Sequence, residues 1–233
     1  MTDNTCITIS HFSDILCIWA YIAQVRIDEL KREHASAVDL QYHFFPVFGS
    51  VESTLEKNWS QKGGVTAYNK HVISTVEKFS HIEVHPDLWL KNRPTTSLNC
   101  HLHFKAVQLL QSQNIIAATP DAQGNTPFES FVWQVRLAFF KQAQNISDSE
   151  ILLQLCEQQG LPVDKIEAKV KSGEAFAALD GDTQLVEKFR ISGSPTLVFN
   201  EGRQTIYGNV GYRVIEANIR ELLNQPENQA SWC

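Results

Sequence analysis

The chain has 233 residues, 43% hydrophobic and 20% charged, with a formal net charge of −6 and a pI near 5.7. That is the composition of a globular protein, with room for one large domain or for a core plus an inserted subdomain. The acidic balance and the lack of any basic run argue against a nucleic-acid-binding role or an anionic-membrane surface, and no stretch is apolar for long enough to predict a membrane span.

Met1 to Ser10 lacks the positive and apolar regions of a secretory signal. Overlapping its end, Thr5 to Phe12 (TCITISHF) is rich in β-branched, alternating residues and predicts a strand. Ser13-Asp14 is a polar break. Cys17 to Glu33 predicts a helix with an apolar stripe through Ile22, Val25 and Leu30, and with Lys31 and Arg32 in its last turn, where cations suit the helix dipole. Val38 to Phe48 alternates through Leu40, Tyr42 and Phe44 and predicts a second strand, ended by Pro46. A strand, a helix and a strand in this order imply a crossover between parallel strands.

After Gly49 the strand signals stop. From about residue 60 to 190 helical patterns follow one another: Val65 to Phe79, Thr96 to Gln113, Phe128 to Gln142, Ser147 to Gln159, Pro162 to Lys171 and Glu174 to Phe189. Ser147 with Glu150 three residues on has the form of a capping box. The aromatic residues of this block (Trp59, Trp89, Phe131, Trp133, Phe139, Phe140) are expected to build its own core. Strand character returns at Thr196 to Asn200, a turn falls at Glu201-Gly202, and Arg203 to Tyr207 is the hairpin partner. A last helix runs from Tyr212 to Leu223, and the polar residues after it are expected to form a flexible tail over 227–233.

Two motifs, about 180 residues apart, carry a resemblance. Ser13-Asp14-Ile15-Leu16-Cys17-Ile18-Trp19-Ala20-Tyr21-Ile22 resembles the active-site segment, commonly S-D-x-x-C-P-W-C-Y-I, of the DsbA-like thioredoxin superfamily. Ile191-Ser192-Gly193-Ser194-Pro195-Thr196-Leu197-Val198 resembles its cis-proline loop. A weaker echo lies over Arg93 to His101, where Thr96 replaces the branch's Asn and His101 is kept. The branch indicated holds FrnE-type oxidoreductases, 2-hydroxychromene-2-carboxylate isomerases and kappa-class glutathione transferases. The resemblance implies an α/β thioredoxin fold (β-α-β … β-β-α) with a large all-helical insertion. Residues 1–50 and 190–226 would form the discontinuous thioredoxin-like domain and 51–189 the insertion. It also implies a cis bond at Ser194-Pro195. The departures fall in the motif itself, where Ile18 replaces Pro and Ala20 replaces the second Cys.

A thiol at the first turn of a helix faces unpaired N–H groups and the positive end of the dipole, so Cys17 is expected to have a lowered pKa and to be nucleophilic. Ala20 cannot resolve a mixed disulfide, so release falls to an outside thiol such as glutathione, acting as co-substrate rather than bound cofactor, or to a distant cysteine. Of the other four, Cys100 is the better internal candidate because it lies in the inserted helical block, which is expected to cap the site. Cys6 reads as a core residue, Cys156 as an apolar helix position, and Cys233 lies on the tail. Five scattered cysteines form no disulfide framework, which suits a reducing cytoplasm. Trp19 and Tyr21 flank the thiol, Trp19 as a substrate wall and Tyr21 as core. Asp14 is expected to cap the helix or to act near the thiol, Ser194, beside Pro195, to present its backbone to an extended peptide or to glutathione, and His101 to line the site. The histidines that could invite a metal (His71, His81, His85, and His101 with His103) lack a metal-binding arrangement.

The leading functional expectation is a thiol-disulfide oxidoreductase with a monothiol site, acting on protein or small-molecule disulfides as a monomer or homodimer. A glutathione-dependent transferase or isomerase, and a non-catalytic peptide-binding domain of the same fold, remain alternatives.

Overall fold

The computed structural model describes residues 6–223; the tail over 227–233 and Cys233 lie outside the described residues. Strand β1 (Ile7–Ser13) leads through a short loop into helix α1 (Ile18–His34), which returns the chain to β2 (Val38–Phe44). Helices α2 (Val51–Trp59), α3 (Gly64–Val76), α4 (Leu98–Ser112), α5 (Pro127–Phe140), α6 (Ser149–Gln158), α7 (Val163–Lys171) and α8 (Glu174–Lys188) follow. The chain then completes the sheet with β3 (Thr196–Phe199) and β4 (Gln204–Tyr207) and ends in α9 (Tyr212–Leu223). The strand order is β2-β1-β3-β4. β1 runs parallel to β2, with Ile7 opposite Val38, and antiparallel to β3, with Phe12 opposite Thr196. The expected β-α-β … β-β-α layout is therefore present.

Alternation along β1 divides the core. Ile7 and Ile9 face Ile27 and Leu30 of α1 and Ile215, Ile219 and Leu222 of α9, together with Leu197, Phe199 and Ile206. A second apolar cluster runs from the helical block into Ile15, Leu16, Ile18, Tyr21, Ile22 and Phe44. Trp89, Phe131, Phe139 and Phe140 are buried in it, as expected of core residues, but the core is shared with α1 and β2 rather than private to the block.

Several local expectations are corrected. The second strand ends at Phe44, short of Pro46, because its partner β1 ends at the facing Ser13; the Phe48 N–H then bonds the Asp14 carboxylate. A helix over Val51–Trp59 was not legible in the apolar pattern; its signal is the polar cap, Ser50, which accepts from the Ser53 N–H. The cap before α6 is Asp148, not Ser147, whose hydroxyl accepts from Thr95 N instead. The capping box is found on α5, where Thr126 and Glu129 bond reciprocally and Pro127 takes the first helical position.

Candidate functional site

β1 and the α1 crossover place Cys17 immediately ahead of the first helical residue, Ile18. Its carbonyl receives the N–H groups of Ala20 and Tyr21, both at 3.1 Å, and its own N–H donates to Asp14 O. The thiol turns toward the loop before β3 and donates to the Ser194 carbonyl oxygen at 3.2 Å. The Ser194-Pro195 bond is cis, as the motif implies. Two segments separated by nearly the whole chain thus meet at one sulfur.

The expected lowering of the Cys17 pKa is overturned. Burial raises it, and the Asp14 charge adds to the rise. The Ser194 side chain and the N–H groups of Ala20 and Trp19 act in the other direction without overcoming burial. Cys17 is only 8% exposed, and donation to a carbonyl favours the protonated thiol. A helix terminus lowers the pKa of a solvated thiol, whereas the Cys17 thiol is buried.

Asp14 does not cap α1, whose first turn has no side-chain cap. Fully buried, it ties the loop together instead. One carboxylate oxygen accepts from Leu16 N, and the other from Phe48 N and the Ser97 hydroxyl, all at 2.8 Å. Its own N–H donates to the Ser194 hydroxyl at 3.0 Å. Burial raises its pKa to about 6, against the pull of those donors. Ser97 was not singled out in the sequence; its Ser-before-helix position was the available signal.

His101, on α4, reaches the same loop from the opposite side. Its Nε2 accepts from Ile15 N at 3.2 Å, which assigns the ring proton to Nδ1. The ring stacks on Phe44, and burial lowers its pKa to about 3. It holds loop backbone and, being fully buried, does not line an open surface. Trp19 is 38% exposed beside the thiol, edge-on to Phe79. Tyr21 is core as expected, stacked on Phe140 with its hydroxyl donating to Glu83 O.

The proline loop is braced by β4. Gly208 N donates to Pro195 O at 2.8 Å, and the Thr196 hydroxyl donates to Gly193 O at 2.7 Å. The Tyr207 ring lies directly against Gly193, where an added Cβ would sit 2.5 Å from a ring carbon. Glycine is required here by close approach, a requirement that only the strand pairing reveals.

All four described cysteines are free. Cys100 is fully buried and donates to Ile146 O at 2.9 Å, and burial pushes its pKa far up, so it is packed away from thiol exchange rather than poised for it. Cys156 is buried and pushed up to about 12. Cys6 is exposed, not core, because β1 begins at Ile7. Among the described residues, no group of three or more metal-ligating side chains is gathered, and no helix is long and apolar enough to cross a membrane.

The chain is similar to the ClpXP adapter proteins SpxH of Bacillus licheniformis (23% identical over 146 residues) and Bacillus subtilis (25% over 148). Each match covers 59% of this chain, and the chain spans about half of these curated relatives (48% and 49%). SpxH of Halalkalibacterium halodurans is 23% identical over 225 residues, covering 94% of this chain and 68% of the relative. Among solved structures, the cytosolic disulfide reductase DsbM of Pseudomonas aeruginosa with GSH superposes with a TM-score of 0.61 at 16% identity, covering 91% of this chain and 99% of that one. A 2-hydroxychromene-2-carboxylate isomerase gives 0.63 at 13%, covering 96% and 100%. The fold is shared with both. A profile of the DSBA-like thioredoxin domain matches residues 8–220, nearly the whole described chain, and this protein belongs to the DSBA-like thioredoxin domain family.

Proposed function

We propose that the chain carries out thiol–disulfide chemistry through the single thiol of Cys17, with glutathione or another outside thiol closing the cycle. The observation that carries this reading is the placement of one sulfur at the start of α1, 3.2 Å from the Ser194 carbonyl and next to Pro195, while the position one turn on is Ala20. The Cys17 thiolate attacks one sulfur of a disulfide. That S–S bond breaks, a new one joins Cys17 to the substrate, and the second sulfur leaves as a thiolate that takes up a proton. A glutathione thiolate then attacks the substrate sulfur of the mixed disulfide, which frees Cys17 and carries the substrate away as its glutathione mixed disulfide. Trp19 supplies an exposed aromatic wall, Ser194 and Pro195 the backbone beside the sulfur, and Asp14 and His101 the rigidity of the loop. The likeness to a cytosolic disulfide reductase with GSH supports an outside thiol and a reducing compartment.

A second reading is favoured by one observation: the thiol is enclosed, raised in pKa and already hydrogen-bonded. In that reading the domain binds a peptide or protein without turnover, in line with the adapter names of the SpxH relatives.

The test is alkylation and oxidised-glutathione treatment of the native protein with peptide-level mass mapping, beside a glutathione-coupled disulfide-reduction assay. Expected are an adduct at Cys17 and turnover lost in Cys17→Ser. Labelling of the exposed Cys6 with Cys17 untouched in the folded state supports the binding reading. Turnover retained by Cys17→Ser supports a glutathione transferase or isomerase instead.

A further inference from the structure

Trp19, Ile22 and Arg26 are spaced i, i+3 and i+7 and so share one face of α1. The turn over 78–81, which follows α3, lies along that face. Phe79 stands edge-on to Trp19 at 6.3 Å, and His81 Nε2 donates to Ile22 O at 3.0 Å. Arg26 donates to the same carbonyl at 3.3 Å, which folds its guanidinium back toward the Cys17 end of the helix. Between this face, the turn and the start of α9 lies an open cleft of about 480 Å³, lined by Arg26, Lys78, Phe79, His81 and Tyr212 among others. Arg26 and Pro195 also line one small space. The arginine thus joins the cleft to the proline loop, whose Ser194 carbonyl holds the Cys17 thiol.

The charge of this cleft is opposite to that of the chain. The net charge is −6, yet the cleft holds two cations, Arg26 and Lys78, and among the described residues neither pairs with a carboxylate. Arg26 commits one of its five N–H donors to Ile22 O and keeps the rest for a ligand. The one carboxylate in the lining, Glu29, is already held by Arg32. Glu77, beside Lys78 in the chain, lies outside the lining, and Glu83 pairs with Lys141. Tyr212 adds a hydroxyl with no partner. Two open cations, a free phenol and the exposed Trp19 ring two residues from the thiol complement a peptide that carries carboxylates close to its sulfur.

We propose that this cleft selects the substrate of Cys17: an extended peptide segment with Asp or Glu about two or three residues from its disulfide sulfur. This rests on Cys17 being the reacting thiol. The spacing follows from the helix. The guanidinium is held at the level of Ile22, which lies beyond Cys17 by about 7.5 Å of axis at roughly 1.5 Å per residue. Two or three extended residues, at about 3.3 Å each, span that distance. The cleft is open, so it admits a chain that continues past the contact. Lys78 is exposed and Arg26 half-buried, so the selection is electrostatic and is screened by salt.

The experiment is equilibrium binding, to the full chain, of peptides in which serine replaces the cysteine, so that no thiol exchange enters. The acidic peptides carry Asp and Glu two and three residues from that serine, on one side or the other; their counterparts carry Asn and Gln. The better acidic peptide is expected to bind about tenfold tighter than its counterpart at low salt, with the difference lost at high salt. Arg26→Gln and Lys78→Gln are each expected to remove about threefold of it. Arg26→Glu with Lys78→Glu is expected to turn the preference toward a peptide bearing lysines at the same positions. Against the matching peptide disulfides, the Gln variants are expected to raise KM and leave kcat unchanged. Equal binding of acidic and neutral peptides overturns the proposal, as does an acidic preference that survives the double reversal. Binding of S-methylglutathione that falls in the Gln variants, while no peptide binding changes, also overturns it and makes the cleft a site for a small thiol. Turnover of Cys17→Ser is measured separately: if it persists while the acidic preference holds, the failure lies in the proposed function and not in the cleft.

Discussion

The Cys17 thiol and the Ser194 carbonyl, 177 positions apart in the chain, meet at 3.2 Å. The contact fixes the sulfur at the edge of the sheet and favours its protonated form. The same serine also accepts the Asp14 N–H through its hydroxyl, so both ends of the site are joined through one residue.

Ala20 follows Cys17 by one helical turn, and its N–H already bonds the Cys17 carbonyl at 3.1 Å. Residues three apart on a helix lie within the Cα spacing a disulfide needs. Ala20→Cys is therefore expected to form an intramolecular disulfide with Cys17 on oxidation. It would be seen as the loss of two hydrogens in intact mass, and disulfide exchange would no longer require glutathione. A double thiol that oxidises only between molecules would contradict this geometry.

Acid sensitivity follows from three buried groups of opposite sign. His11 and His101 are held near 3 by burial, against an ordinary 6.5. Between those values the unfolded chain binds more protons than the folded one, so their effect is lost stability as pH falls from 6.5 toward 3. Asp14, at about 6 against an ordinary 3.8, binds more protons folded than unfolded across that window, so acidification there favours the fold. Two large displacements outweigh one smaller one at about 1.4 kcal/mol per pKa unit. The urea midpoint is expected to fall from pH 6.5 to 4, more steeply in Asp14→Asn and less steeply in His101→Gln. A flat midpoint in the wild type would show that these groups are not enclosed in solution.

The seat of Tyr207 on Gly193 gives a third expectation. Gly193→Ala drives a methyl group into the ring and should cost about 1–3 kcal/mol of stability, the usual range for overpacking. Because Tyr207 is 61% exposed, Tyr207→Ala should cost little alone and should relieve the clash in the double variant. Chemical denaturation of the four proteins checks the cycle, and additive losses would separate the ring from the glycine.

Much of this arrangement was legible in the chain. The β-α-β opening was written in alternation at Ile7–Ile9 and Leu40–Tyr42 and in the helical stripe between them, since side-chain periods of 2 and 3.6 are local properties. The cis bond at Ser194-Pro195 was read by resemblance. The Ser147 cap was misread because capping is decided by which neighbouring N–H groups remain open, and Thr95 had taken the Ser147 hydroxyl.

By itself the sequence determined that one thiol opens a helix, that position 20 offers no second sulfur, and that a proline loop far along the chain belongs with them. Only the tertiary structure decided the chemical state of that thiol. Desolvation is a property of what surrounds an atom, and the fold leaves Cys17 only 8% exposed. The same packing turned Asp14 from a cap into a loop tie and made His101 a neutral acceptor.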